Sequence, residues 1–301
     1  MRHQTAWIAG TLGALGGGLF AYGALIERNA FRLRHVRVPV LPAGHEPIRV
    51  LHLSDFHLTA AQSRKVAWIR ALSELQPDFI VNTGDNLSSA EALATLARAL
   101  RPLAGPPGVF VLGSNDFHGP RPINPLGYFT PRQHTVPKTT LPTAAIVLVL
   151  EGLGWTNIEQ ERRVFELRGS RVEVRGCGDA HIDLDDYAAV AGPVQSDVDL
   201  LIGVAHAPYR RILDAMTTDG AGLILAGHTH GGQVCLPGGR ALTTNCDIPL
   251  RQAKGLSQHR TGPLTTFVHV SAGLGTSPYA PYRFACPPEA TLLTLVARPE
   301  G

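Results

Sequence analysis

Ile48-Arg49-Val50-Leu51-His52-Leu53-Ser54-Asp55-Phe56-His57 decides the reading of this chain. Ile48, Val50, Leu51 and Leu53 read as a buried strand, and the apolar run stops at a hydroxyl, a carboxylate and an imidazole. The same arrangement recurs downstream. Phe79-Ile80-Val81 runs into Thr83-Gly84-Asp85-Asn86, and Val109 to Leu112 into Gly113-Ser114-Asn115-Asp116. Leu200 to Val204 leads to His206, and Leu223 to Ala226 leads to Gly227-His228-Thr229-His230. Val66, Ile69, Leu72 and Leu75 recur every three residues and predict a helix; Ala90 to Leu100 predicts another. The order is βαβαβ, an α/β sheet in which the C-terminal strand ends form the rim of a site. Strand patterns at Thr266 to Val270 and Ala290 to Val296 predict hairpins that close a second sheet.

Composition narrows the class. Of 301 residues, 44% are hydrophobic and 17% charged, which excludes extended disorder and suits one large domain. A net charge of +3 lacks the electrostatic footprint of a nucleic-acid binder, so no nucleic acid partner is expected. The cysteines Cys177, Cys235, Cys246 and Cys286 include no CxxC pair, and buried thiols are expected rather than a disulfide framework. No HExxH helix is present, which disfavours a zinc peptidase.

Residues 6–26 carry no charge and are flanked by Arg2 and by Arg28. As a helix they would span about 30 Å, so a retained single-pass transmembrane anchor is expected in preference to a cleaved signal segment. Arg28, Arg32, Arg34 and Arg37 tilt the positive-inside reading toward a cytoplasmic domain, although they suit anionic head groups in either leaflet. The catalytic domain is expected over 46–297, without internal repeats. Residues 117–143, rich in Pro and basic side chains, read as a substrate-facing flap.

Carboxylate, imidazole and amide oxygen are the donors that Mn, Fe and Zn accept. Asp55 and His57, two residues apart, can both turn inward from a strand end, as can His228 and His230. Asp85 can bridge two ions, the arrangement that serves in-line phosphoryl displacement. One such cluster says little; five in sequence, each after a strand, point to a metal site.

With these motifs the chain resembles the calcineurin-like metallophosphoesterase superfamily, whose pattern is DxH, GD, GNH(D/E), a solitary His and GHxH. Ser54-Asp55-Phe56-His57 and Gly227-His228-Thr229-His230-Gly231-Gly232-Gln233 resemble its membrane-associated bacterial members most. The resemblance covers about residues 46 to 297. It implies two mixed β-sheets packed as a sandwich flanked by helices, preceded here by the transmembrane helix. It implies two divalent metal ions and hydrolysis of a phosphomonoester, phosphodiester or pyrophosphate by a metal-bridging hydroxide. The substrate would be a phosphorylated small molecule or a lipid- or envelope-linked ester. Asp55, His57 and His230 would hold the first ion, Asn115, His206 and His228 the second, with Asp85 shared.

Where the family has a His to protonate the leaving group, this chain has Asp116. Asp116 and His118 are therefore the candidate proton donors. The rival readings are a catalytically weak metal-binding scaffold of the same fold and a nuclease. Asp179 and His181 lie in a loop that reads as an ordinary turn or as an approach to the substrate, Arg283 reads as a phosphate contact or a structural salt bridge, and Arg121 and Arg132 in the flap read as solvated side chains, with substrate grip the alternative.

Overall fold

Alternate residues of the central strands face two different cores, which is why their sequences read as unbroken apolar runs. In the computed structural model, which describes residues 2–120, 122 and 140–299, strands β1 (Arg32–Leu41), β2 (Ile48–Leu53), β3 (Phe79–Asn82), β4 (Gly108–Phe110), β5 (Trp155–Asn157) and β14 (Glu289–Ala297) form one sheet. Its order is β1-β14-β2-β3-β4-β5. Strands β6 (Arg162–Leu167), β7 (Ser170–Gly176), β8 (Leu200–Val204), β9 (Leu223–Ala226), β12 (Gly255–Thr261) and β13 (Leu264–Val270) form the second, in the order β12-β13-β9-β8-β7-β6. A small β10 (Cys235–Leu236) and β11 (Arg240–Ala241) hairpin lies outside both.

Val50, Phe79, Val81 and Val109 of the first sheet meet Val174, Ile202, Val204, Leu223 and Leu225 of the second in a shared core. Leu51, Leu53, Ile80 and Phe110 face the other way, onto helices α2 (Ser63–Ala71), α3 (Leu93–Leu100) and α5 (Thr143–Glu151). Leu201 and Ile224 face Ile212, Leu213 and Met216 of α6 (Arg210–Thr218) on the far side. Fully burying one such aliphatic side chain contributes about 1.5–3 kcal/mol, so this layering, two sheets between helices, is what fixes the strand ends in space.

Two strand assignments differ from the sequence reading. β12 and β13 form the expected antiparallel hairpin in the second sheet. The run at 290–296 instead enters the first sheet, parallel to β1 and antiparallel to β2. The arginine-bearing flank at 32–41 is the edge strand β1, exposed along its first half because it pairs on one side only. Arg34 there pairs with Glu289 at 3.0 Å.

The N-terminal segment also departs from expectation. Helix α1 (Arg2–Ala21) gives way to a π turn over Tyr22–Ile26 and a 3-10 turn over Glu27–Asn29. Among the described residues no helix is long and apolar enough to cross a membrane. Five glycines between Gly10 and Gly18 dilute the apolar content of α1, and the last residues of the expected span are fastened to the domain. Arg283 N donates to Gly23 O at 3.2 Å, and Phe20 and Tyr22 pack on Tyr282 and Phe284. The buried Glu27 carboxylate accepts from Ala285 N (3.0 Å) and Cys286 N (2.6 Å). The four cysteines are free thiols, three of them buried. Most of the expected flap, Arg121 and Arg132 included, lies outside the described residues.

Candidate metal centre

Strand ends from both sheets meet at one place. The loops after β2 and β3 are zipped together by Asp55 N to Gly84 O (2.9 Å), His57 N to Asp85 O (3.0 Å) and Leu58 N to Asn86 O (2.9 Å). The loop after β9 joins them through His228 N, which donates to both Asp55 carboxylate oxygens at 3.1–3.2 Å. The chain must turn sharply there, and five residues do so with left-handed backbone: Asp55 (φ 50°), His57 (42°), Asp85 (57°), His228 (67°) and His230 (50°). For residues with a Cβ this conformation costs of order 1–3 kcal/mol each and clusters at functional sites. Glycine is required at the closest approaches. A Cβ on Gly113 would meet Asp85 Oδ1 and the His206 ring, and one on Gly227 would meet Ser54 Oγ.

Asp55, His57, Asp85 and His230 each offer one ligand atom, all within 4.8 Å of one another. His57 Nε2 lies 3.1 Å from His230 Nε2 and 3.3 Å from Asp85 Oδ2, and His230 Nε2 lies 3.6 Å from Asp55 Oδ1. On the other side of Asp85, His206 Nε2 is 3.5 Å from Oδ1 and 3.3 Å from His228 Nδ1. Asn115 Nδ2 donates to Asp85 Oδ2 at 2.8 Å. Of the other six residues expected from the motifs, His57, His206 and Asn115 lie within 3.5 Å of the Asp85 carboxylate, Asp55 and His230 offer ligand atoms within 4.8 Å of it, and His228 adjoins through His206. The outer nitrogens of two rings are occupied: His206 Nδ1 donates to Thr83 O (2.6 Å) and His230 Nδ1 to Gly275 O (3.2 Å). In the neutral ring that bond leaves Nε2 bare and aimed inward, the tautomer a cation needs; at His206 a cation must first displace the proton that the surrounding carboxylates hold. Hard carboxylate and borderline imidazole donors in a cradle this tight fit divalent metal ions.

Burial dominates the electrostatics. It pushes His57 down to about 4, with Asp85 opposing, and holds His228 and His230 well below the usual imidazole range, helped by neighbouring imidazoles. His206 goes the other way: burial lowers it, but Asp85, Asp179 and Asp55 outweigh that and raise it to about 10. Burial and then the Asp85 charge push Asp55 up to about 7, against His206. Asp85 is held below its usual value, against burial, by His206, His57 and the hydrogen bonds from Asn115.

The two candidate proton donors stand differently. Asp116 is fully buried, and its carboxylate accepts from Asp85 N (2.8 Å), Asn86 N (2.8 Å), Gly113 N (3.0 Å) and Asn86 Nδ2. It ties the loops after β3 and β4 together, and its oxygens are committed as acceptors rather than turned to a leaving group. Among the described residues no hydrogen bond or ion pair joins His118 to the cluster; its backbone bridges to Thr140 and its Nδ1 is buried without a partner. Among the described residues Arg283 has no salt-bridge partner: fully buried, it donates to the carbonyls of Ala272 (2.6 Å), Gly275 (2.7 Å) and Gly273 (3.2 Å).

The Gly178 to His181 loop does reach the site. His181 stacks on His228 with ring centroids 4.3 Å apart and bonds Tyr209 Oη at 3.0 Å, and the buried Asp179 carboxylate lowers the cost of a protonated His206. Sequence reading missed Asn245, whose amide lies 3.0 Å from His228 Nε2. It also missed a buried chain behind Asp55. His269 Nδ1 lies 3.0 Å from His52 Nδ1, and His52 Nε2 3.1 Å from Thr83 Oγ1. Thr83 donates to Ser54 Oγ (2.7 Å), which donates to Asp55. The alternation of β2 puts His52 on the inter-sheet face with Val50, the one available hint.

Carboxylates and imidazoles gathered at the strand ends of a two-sheet sandwich define a metal-site α/β protein. The family model for calcineurin-like phosphoesterase matches residues 48–232, and the chain belongs to that family. It is similar to the uncharacterized metallophosphoesterase YkuE of Bacillus subtilis, 27% identical over 96% of this chain and 93% of that protein. A transmembrane protein with metallophosphoesterase domain from Bos taurus is 26% identical over 88% of this chain, which spans only 57% of that relative's length. Among solved structures, the NAD nucleotidase of Haemophilus influenzae aligns with a TM-score of 0.45 at 11% identity, over 76% of this chain and 51% of that one.

Proposed function

We propose that this chain hydrolyses phosphoric esters, mono-, di- or pyrophosphate, at two divalent cations (Mn, Fe or Zn). Asp55, His57 and His230 would hold the first, Asn115, His206 and His228 the second, and Asp85 both. The observation that carries the reading is the gathering of these side chains around Asp85, with His57, His206 and Asn115 in direct contact, Asp55 and His230 within 4.8 Å, and His228 against His206. Bound there, the cations would supply Lewis-acid charge to the phosphoryl oxygens and lower the pKa of water. The chain's own part is to orient the ligand imidazoles, through His206 to Thr83 O and His230 to Gly275 O, and to hold Asp55 by Ser54 and His228 N.

With Asp116 committed as an acceptor, no side chain of the described cluster is assigned to protonate the leaving group. Esters with phenolic leaving groups then turn over far faster than alkyl esters. The contact of His181 with His228 supports assigning it to touch substrate in this reading.

The reaction sits at a membrane in this reading, as in the membrane-associated members that the motifs resemble. Trp7, Leu15, Leu19, Phe20 and Leu25 are exposed apolar groups on the N-terminal segment, and one relative is named a transmembrane protein. A lipid-linked phosphoester would then be within reach. A screen of metals against chromogenic mono- and diesters, with Asp85→Asn as control, tests the chemistry. Hydrolysis that needs no metal, or that survives Asp85→Asn, contradicts it. Pelleting with anionic vesicles, with and without residues 1–19, tests the location.

A further inference from the structure

Beside the metal centre lies a second cavity that its chemistry does not use. It holds about 200 Å³ and is lined by Arg28, Ser63, Arg64, Lys65, Gly275 and Thr276 among others, with no acidic residue among the described residues of its wall. Lys65 is 6% exposed, and its Nζ donates to Phe56 O at 2.8 Å. Among the described residues no carboxylate stands within ion-pair distance of it. An ammonium buried without a counter-charge is costly unless something supplies one. Its charged neighbours make matters worse: burial first, then the guanidiniums of Arg283 and Arg28, push Lys65 down to about 7.

Ser63 and Lys65 also occupy the first turn of α2, whose nine residues direct a partial positive charge the same way. Every field at this cavity favours an anion. Hydroxyls from Ser63 and Thr276, with cationic donors from three side chains, suit the three or four oxygens of a phosphoryl group.

We infer that this cavity is a phosphate-class anion site, distinct from the metal centre and built around Lys65 with Arg28 and Arg64. The two sites share a wall. Gly275 lines the cavity and its carbonyl accepts a hydrogen bond from His230 Nδ1, and Phe56, whose carbonyl accepts from Lys65, lies between Asp55 and His57. The site goes beyond the proposed hydrolysis and stands or falls separately from it.

The test is a calorimetric titration of the full chain with inorganic phosphate, in the presence and absence of Mn. A metal-independent binding phase is expected, weakened at least about tenfold in Lys65→Met, while the Mn-dependent phase is retained. Arg64→Gln, at an exposed position, should weaken the same phase severalfold and serves if Lys65→Met does not fold. Absence of the metal-independent phase, or its persistence unchanged in the variants, overturns the inference. Loss of the Mn-dependent phase alone would instead count against the metal centre. Pelleting with phosphatidylcholine vesicles containing phosphatidic acid separates the sources of the phosphoryl group. Lys65-dependent pelleting assigns a lipid head group, and Lys65-dependent calorimetric binding without it assigns a dissolved phosphate.

Discussion

The two halves of the candidate metal centre use the same residue types and differ in charge. Around His57 and His230, burial and facing imidazoles keep both rings neutral, and the group that resists ionisation is the Asp55 carboxylate, at about 7. Around His206, three carboxylates surround one imidazole and hold a proton on it up to about pH 10. A ligand set read from motifs is thus silent on protonation, which the neighbours decide. Asp179, outside every metal motif, ranks after Asp85 and before Asp55 among the charges that raise His206.

The largest effect should come from removing what the halves share. Asp85→Asn leaves a similar shape without the bridging charge, and is expected to lower hydrolysis of a phenolic diester by about a thousandfold or more and to lose both ions, read by metal analysis. Breaking one half at a time comes next. His230→Ala should cost the first ion and His206→Ala the second, each with a loss of affinity of more than about a hundredfold, read by calorimetry. Equal losses of both ions in each variant would merge the halves into one cooperative unit.

The pH dependence sharpens the comparison. A cation must displace the Asp55 proton in the first half and the His206 proton in the second. Loading of the first half should strengthen as pH rises to about 7 and then level off, whereas loading of the second should keep strengthening toward about 10. Titrating Mn into the full chain at several pH values, with proton release measured in two buffers, reads both. A second ion whose affinity is flat above pH 7 would contradict the charge assignment.

The smallest expected effect lies at the edge of the second half. Burial, then Asp116 and Asp179, raise the half-buried Glu159 to about 7, against its bond from Leu112 N. A carboxyl whose folded pKa is raised makes its contribution below the unfolded value, and loses it as pH climbs from about 4.5 through 7. Glu159→Gln keeps an acceptor for Leu112 N without the charge, so it should stabilise the protein at pH 8 by about 1–2 kcal/mol after solvent screening, and negligibly at pH 4. Urea unfolding at the two pH values measures it.

How much of this was legible in the chain depends on where each residue's environment comes from. Asp55, His57, Asp85, His228 and His230 could be read because each follows directly on an apolar run, so the local strand places it. Asn245 could not, because it reaches His228 from another element by long-range packing; the roles of Tyr209 and His52 were hidden because their partners, His181 and His269, lie far off in sequence. The run at 290–296 reads as a strand, but its partners are set by a register with β1 and β2 more than two hundred residues away in sequence. The arginines of 32–41 looked like a membrane flank because an edge strand exposes the side chains of its free rim. The motif position of Asp116 suggests a proton donor, and its four hydrogen-bond donors, which reach it from the loops after β3 and β4, lie outside what that position can show. Glu27, one residue past the expected span, shows the same limit, since its partners at 285 and 286 lie at the other end of the chain.

The central claim is that one carboxylate joins two cation sites. Crystals grown with Mn and measured near its absorption edge test it most directly. The account predicts two anomalous peaks about 3.5–4 Å apart, one between His57 and His230, the other between His206 and His228, with Asp85 touching both. A single peak, or two that Asp85 does not join, would contradict it.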